Sequence, residues 1–139
     1  MDMLARREHS VGELREKLLH KGYTAMEVAH VMIGLQRAGL VSDLRFSEMW
    51  LAARRGRGVG PLRIRMELRK KGVTEELIDQ CLALAGSEWM EHMLRVRQKK
   101  YGSELPTDYA ERARQARFLQ SRGYTFAQIQ CFFTFGADD

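Results

Sequence analysis

The sequence predicts an all-α protein built from three tandem three-helix units in an elongated array. A short phrase recurs as Lys21-Gly22-Tyr23-Thr24, Lys71-Gly72-Val73-Thr74 and Arg122-Gly123-Tyr124-Thr125, with successive glycines 50 and 51 residues apart. Apolar residues elsewhere recur at three- and four-residue spacing, and no strand-like alternation stands out. Only two prolines occur in 139 residues, and neither interrupts a periodic segment.

The phrase is a joint between helices. A basic residue suits the last turn of a helix, glycine takes the left-handed position just beyond it, and the next apolar side chain packs back. Threonine then caps the following helix. Thr24 with Glu27 and Thr125 with Gln128 complete capping boxes. Repetition at this period marks a helical repeat protein, an architecture that usually supplies a binding surface.

The units are expected at 1–39, 40–86 and 87–139. In the first, Met3–His9 is a short helix. Ser10 caps the second with Glu13 in the box position, and Val11, Leu14 and Leu18 form its inner face. The third helix opens at Thr24, carries Val28, Val31, Met32 and Leu35 at helical spacing, and ends at Gly39. The second unit begins with a helix carrying Phe46, Met49, Trp50 and Ala53, which stops in Gly56-Arg57-Gly58-Val59-Gly60. Pro61 suits the first turn of the next helix, whose inner face is Ile64 and Leu68. Thr74 opens a helix with Leu77, Ile78, Cys81, Leu82 and Ala85. In the third unit Trp89, Met93 and Val96 share a face, Tyr101–Pro106 turns, a long helix runs from about Thr107 to Arg122, and the last helix carries Ile129, Phe132 and Phe133.

Hydrophobic content of 45% with 29% charge suits a folded chain. No apolar run reaches the roughly 20 residues needed to span a bilayer, and Met1–Arg7 lacks the apolar core of a secretory signal. Cys81 and Cys131 lie on apolar helix faces and read as reduced core residues. These features predict a cytoplasmic protein with no membrane partner, and nothing suggests an obligate dimer, so a monomer is expected.

The net charge of +5 points to an anionic partner. Residues 1–39 hold six Lys/Arg against five acids and 87–139 hold eight against seven, whereas 40–86 hold nine against six. Eight of those nine are Arg54, Arg55, Arg57, Arg63, Arg65, Arg69, Lys70 and Lys71, with Glu67 the only acid among them. This basic stripe is the candidate partner-binding site, because aligned like charges repel unless an anionic surface opposes them. The charge pattern argues against a helix-turn-helix reader of DNA. The helices after the middle and last glycines hold no Lys or Arg, where base readout would need them. Trp50, Trp89, Tyr23 and Tyr124 read as core residues and the eight methionines as gap-fillers.

No enzymatic pattern is present. His9, His20, His30 and His92 have no metal-ligand spacing, no nucleophile–base set is evident, and the glycine-rich loop lacks the strand and lysine of a phosphate loop. No catalytic, cofactor or metal residues are expected.

Several stretches together resemble the bacterial RecX family: Leu4–Ser10 with Glu13–Leu18, Gly39–Phe46, Arg54–Leu68 continuing through Lys71-Gly72-Val73, Lys99–Gly102, and Arg117–Tyr124. The likeness runs in order over nearly the whole chain. It departs at Ser42, where the family often has a second Asp, and in a short lead-in before Leu4. The resemblance implies an all-helical protein of tandem three-helix units that lies in the groove of the RecA filament on DNA. There it would inhibit strand exchange, ATP hydrolysis and co-protease activity, with the stripe touching RecA or DNA phosphates. The alternative is a nucleic-acid-binding protein without sequence preference that acts on recombination indirectly.

Overall fold

The computed structural model describes the fold over residues 7–137, and side chains over residues 7–86 and 88–133. Among these residues every element is helical. The order is α1 (Val11–His20), α2 (Ala25–Arg37), α3 (Asp43–Gly56), α4 (Pro61–Lys70), α5 (Glu75–Leu84), a 3-10 turn (Gly86–Glu88), α6 (Trp89–Tyr101), α7 (Tyr109–Ser121) and α8 (Phe126–Ala137). The all-α expectation holds. Of the expected Met3–His9 helix, Met3–Arg6 lie outside the described residues, and Arg7–His9 are not helical.

The joints form as their residues dictate. Gly22, Gly72 and Gly123 have φ of 104°, 86° and 101°, a region that residues with a Cβ rarely adopt. At each joint the following residue's N–H reaches back to a carbonyl of the helix just ended: Tyr23 to Leu18, Val73 to Leu68, and Tyr124 to Leu119. Ser10 with Glu13 and Thr24 with Glu27 make reciprocal capping boxes, and Thr125 with Gln128 makes a third. Ser42 also caps, accepting from Arg45 N–H at 3.3 Å.

Compact packing divides the chain into two units. The first takes the chain to Ala52 and then Glu67–Leu84; the second takes Ala53–Met66 and the chain from Ala85. In the first, Leu14, Val28, Met32, Leu35 and Val41 form one buried cluster, with Val11 and Leu18 packed against it. Phe46, Leu51, Leu68, Val73, Ile78, Cys81 and Leu82 are also buried there. The second unit buries Ile64, Trp89, Met93, Leu119, Tyr124 and Ile129.

Four of the residues singled out at helical spacing or as core are exposed. Val31 is 40% exposed, because it lies 100° around α2 from Met32, at the edge of the apolar stripe. Ala53 is exposed, and Ser47 and Leu51 are the residues that share the buried face with Phe46. Cys131 is exposed, being two residues and 200° around the helix from buried Ile129. Tyr23 is half exposed where Val73 and Tyr124 are buried, because nothing lies within 4 Å of a Cβ built on Gly22.

The other two joints are occupied, and glycine is what permits it. The start of α1 meets the α4–α5 joint: a Cβ on Gly12 would stand 2.6 Å from the Lys71 carbonyl oxygen, and Ser10 Oγ donates to that oxygen at 2.8 Å. The start of α4 meets the α7–α8 joint. There Gly60 N–H donates to Arg122 O at 2.7 Å and Leu62 N–H to Gly123 O at 2.9 Å.

A buried carboxylate ties the first of these junctions together. Glu13 accepts from Arg7 and from Lys71, both at 2.9 Å, and from the Ser10 N–H at 3.2 Å. Burial alone would raise this carboxyl, but the Arg7, Lys71 and Ser10 hydrogen bonds hold it at about 2. Because the folded value lies below the ordinary 4.5, its contribution is complete above pH 4.5 and is lost as pH falls towards 2. The gap corresponds to about 3 kcal/mol. Glu13→Gln keeps the acceptor for Ser10 but loses the charge. Urea unfolding at pH 7 should show a loss of about 2 kcal/mol, with a flatter stability profile between pH 4.5 and 2. An unchanged profile would remove Glu13 from this role.

Candidate functional site

The eight residues of the basic stripe are divided between the two compact units. Arg69, Lys70 and Lys71 belong to the first compact unit, and Arg54, Arg55, Arg57, Arg63 and Arg65 to the second. Most are committed inside the fold. Lys71 binds Glu13 and stands 5.3 Å from the Trp50 ring. Arg69 pairs with Glu75. Arg55 pairs with Glu88 at 2.9 Å and lies 6.0 Å from the Trp89 ring. Arg54, Arg63 and Arg65 are also engaged in interactions. Among the described residues, Arg57 and Lys70 are the stripe members whose head groups have no partner. Neighbouring basic residues on a helix point to different sides, so Arg69, Lys71 and Arg55 reach different acids and rings while Arg57 and Lys70 do not.

Arg57 finds other company. In the second unit a cavity of about 420 Å³ is lined by Arg55, Gly56, Arg57 and Gly58 at the end of α3, by His92, Arg95, Val96, Lys99 and Lys100 of α6, and by Phe118 and Arg122 at the end of α7. No acidic residue lines it. His92, Arg95 and Lys99 stand at i, i+3 and i+7, one face of α6. Arg122 follows the last turn of α7, and its backbone carbonyl holds Gly60.

Arg57, Arg95, Lys99, Lys100 and Arg122 form no ion pair with a carboxylate among the described residues. Two of them rest on an aromatic ring instead: Lys100 Nζ is 4.1 Å and Arg122 Cζ 5.6 Å from the centre of Phe118. Such contacts hold a cation for about 0.5–1 kcal/mol each without neutralising it. Burial, then the charges of Arg55 and Arg95, push His92 below its ordinary 6.5, against the pull of Glu88 and Glu91. The result is a concave, positively charged surface on which five of the cations have no carboxylate partner among the described residues.

A neighbouring arginine shows the contrast. Arg97 is 4% exposed and gives its guanidinium to Gln115 Oε1 at 3.1 Å, Gly102 O at 3.2 Å and Glu104 O at 2.6 Å, fixing the turn after α6. Burial lowers its pKa. It is a structural residue.

Sequence reasoning missed Arg95, Lys99, Lys100 and Arg122. Charge totals over 87–139 hid them, because Glu104, Asp108, Asp138 and Asp139 balance the sum from other parts of the segment. Spacing would have found most of them: Arg95 and Lys99 lie four apart with no acid from 92 to 103.

Comparison with known proteins agrees with the fold. The first, second and third three-helix domains of RecX match residues 1–33, 42–82 and 87–133. The chain is 41% identical over 128 residues to the regulatory protein RecX of Halorhodospira halophila, covering 92% of this chain and 80% of that one. It is 42% identical to that of Ectopseudomonas mendocina, covering 93% and 86%. The crystal structure of RecX from Lactobacillus salivarius superposes with a TM-score of 0.82 at 16% identity, covering 96% of this chain and 88% of that chain. The chain belongs to the RecX family of regulatory proteins.

Proposed function

We propose that the protein binds the RecA filament on DNA and inhibits its recombinase, ATPase and co-protease activities, without catalysis of its own. The second unit's cavity carries this reading, since a surface with five cations and no carboxylate partner calls for an anionic ligand. The family resemblance supplies the identity of that ligand, and the relatives are named as regulatory proteins. Segments 1–39, 40–86 and 87–139 serve as the scaffold, and the cytoplasm, where RecA filaments form, is where it would act.

A nucleic-acid-binding protein without sequence preference would use the same cations on bare phosphates. Salt dependence separates the two. Binding to RecA-coated single-stranded DNA should be tighter than to bare DNA, and should fall less steeply with salt, because part of the contact is to protein. Equal affinity and an equal salt slope on both would favour the indirect reading. Fluorescence anisotropy with labelled oligonucleotide, at two or more salt concentrations, makes the comparison.

A further inference from the structure

An anionic partner can offer the second unit's cavity either carboxylates or phosphates, and the lining distinguishes them. Four guanidinium groups, two ammonium groups and one imidazole converge from three chain segments. A side-chain carboxylate is planar and singly charged, and one guanidinium fork satisfies it. A phosphate is tetrahedral and presents its acceptor oxygens in different directions, and along a strand the charge recurs at each phosphodiester, which suits cations approaching from several sides. Arg55 adds an independent sign. Its Nε is buried with no acceptor, although its terminal nitrogen holds Glu88. Such an orphan donor is costly unless a ligand supplies the missing oxygen. At the rim, a Cβ on Gly56 would meet nothing within 4 Å, so backbone there is open to close approach.

We propose that the cavity bounded by Arg57, Arg95, Lys99 and Arg122 is a discrete phosphate-binding site, filled by a phosphate of a nucleic acid strand or of a free phosphate ester. This rests on the same cavity as the proposed function and specifies its ligand. His92 is the built-in reporter. Burial first, then Arg55 on α3 and Arg95 on α6, oppose its protonation, while Glu88 and Glu91 favour it. An arriving phosphate reverses the balance, so His92 gains a proton on binding. Affinity is then greatest at low pH and falls as pH rises through the value His92 has in the complex.

The test follows the His92 ring by NMR in the full-length protein, assigned with His92→Asn. The probes are inorganic phosphate, a five-residue oligothymidylate and hexaglutamate, all at one ionic strength. Phosphate or oligothymidylate should raise the His92 pKa, and oligothymidylate affinity should be about tenfold weaker at pH 8 than at pH 6. Arg95→Ala with Lys99→Ala should abolish the response, and Arg57→Ala, in an exposed loop, provides a second variant if that pair disturbs folding. Response to oligothymidylate alone identifies a strand as the source; response to phosphate as well identifies a site open to free esters. Response to hexaglutamate alone, or to none of the three, overturns the proposal. Silence of His92 alongside lost filament inhibition in the variants would discard the phosphate site but keep the filament reading. The reverse pattern would do the opposite.

Discussion

Gly60→Ala should destabilise the protein by about 3 kcal/mol, a fall in Tm on the order of 10 °C. The cause is geometric. A Cβ at this position would stand 2.3 Å from the Gly123 carbonyl carbon and 2.4 Å from the Tyr124 nitrogen, and both are backbone atoms that cannot swing aside. Relief requires the start of α4 to withdraw from the α7–α8 joint, which breaks the Gly60–Arg122 and Leu62–Gly123 hydrogen bonds. Gly34→Ala is the matched control. Gly34 lies inside α2 without positive φ and with nothing near its missing Cβ. That substitution should stabilise by about 0.5–1 kcal/mol. Thermal unfolding of both variants checks the account, and a small effect at Gly60 would show that the joint does not bear on stability.

The second large effect is on binding. Simultaneous Arg57→Ala, Arg95→Ala and Lys99→Ala should weaken binding to the RecA-coated strand by about 100-fold, with the helical circular dichroism unchanged. These head groups make no ion pair among the described residues, so the fold does not depend on them. Replacing Arg54, Arg55 and Arg57 together would be less informative, because Arg55 holds Glu88 and Arg54 is engaged elsewhere. Arg69→Ala with Lys70→Ala, in the first compact unit, should leave affinity within about twofold of the parent. Anisotropy titrations of the three proteins test the assignment, and equal losses in both variants would contradict it.

Fold and site were legible to different depths, for physical reasons. Helix joints are local: Lys-Gly-hydrophobe-Thr fixes a backbone conformation within four residues, so the three joints and most of the core faces could be read directly. What the joints hold is not local. Gly12 meets Lys71 and Gly60 meets Gly123 across some sixty residues, and no pattern near Gly12 or Gly60 announces those contacts. The same distinction explains the stripe. Charge density along the chain singled out Arg54 through Lys71, but which of these cations lack a partner depends on acids elsewhere, such as Glu13 for Lys71 and Glu88 for Arg55. Arg57 survived that sorting and joined four cations from later helices. Tyr23 illustrates the converse, since its phrase matches the other two while its surroundings do not.

The most direct test of the cavity as the working surface is a RecA-dependent ATPase assay on preformed filaments of RecA and single-stranded DNA. The parent protein should suppress ATP hydrolysis in a concentration-dependent way. The Arg57→Ala, Arg95→Ala, Lys99→Ala variant should need about 100-fold more protein for the same suppression. Full inhibition by the folded variant at the parent's concentration would contradict the account.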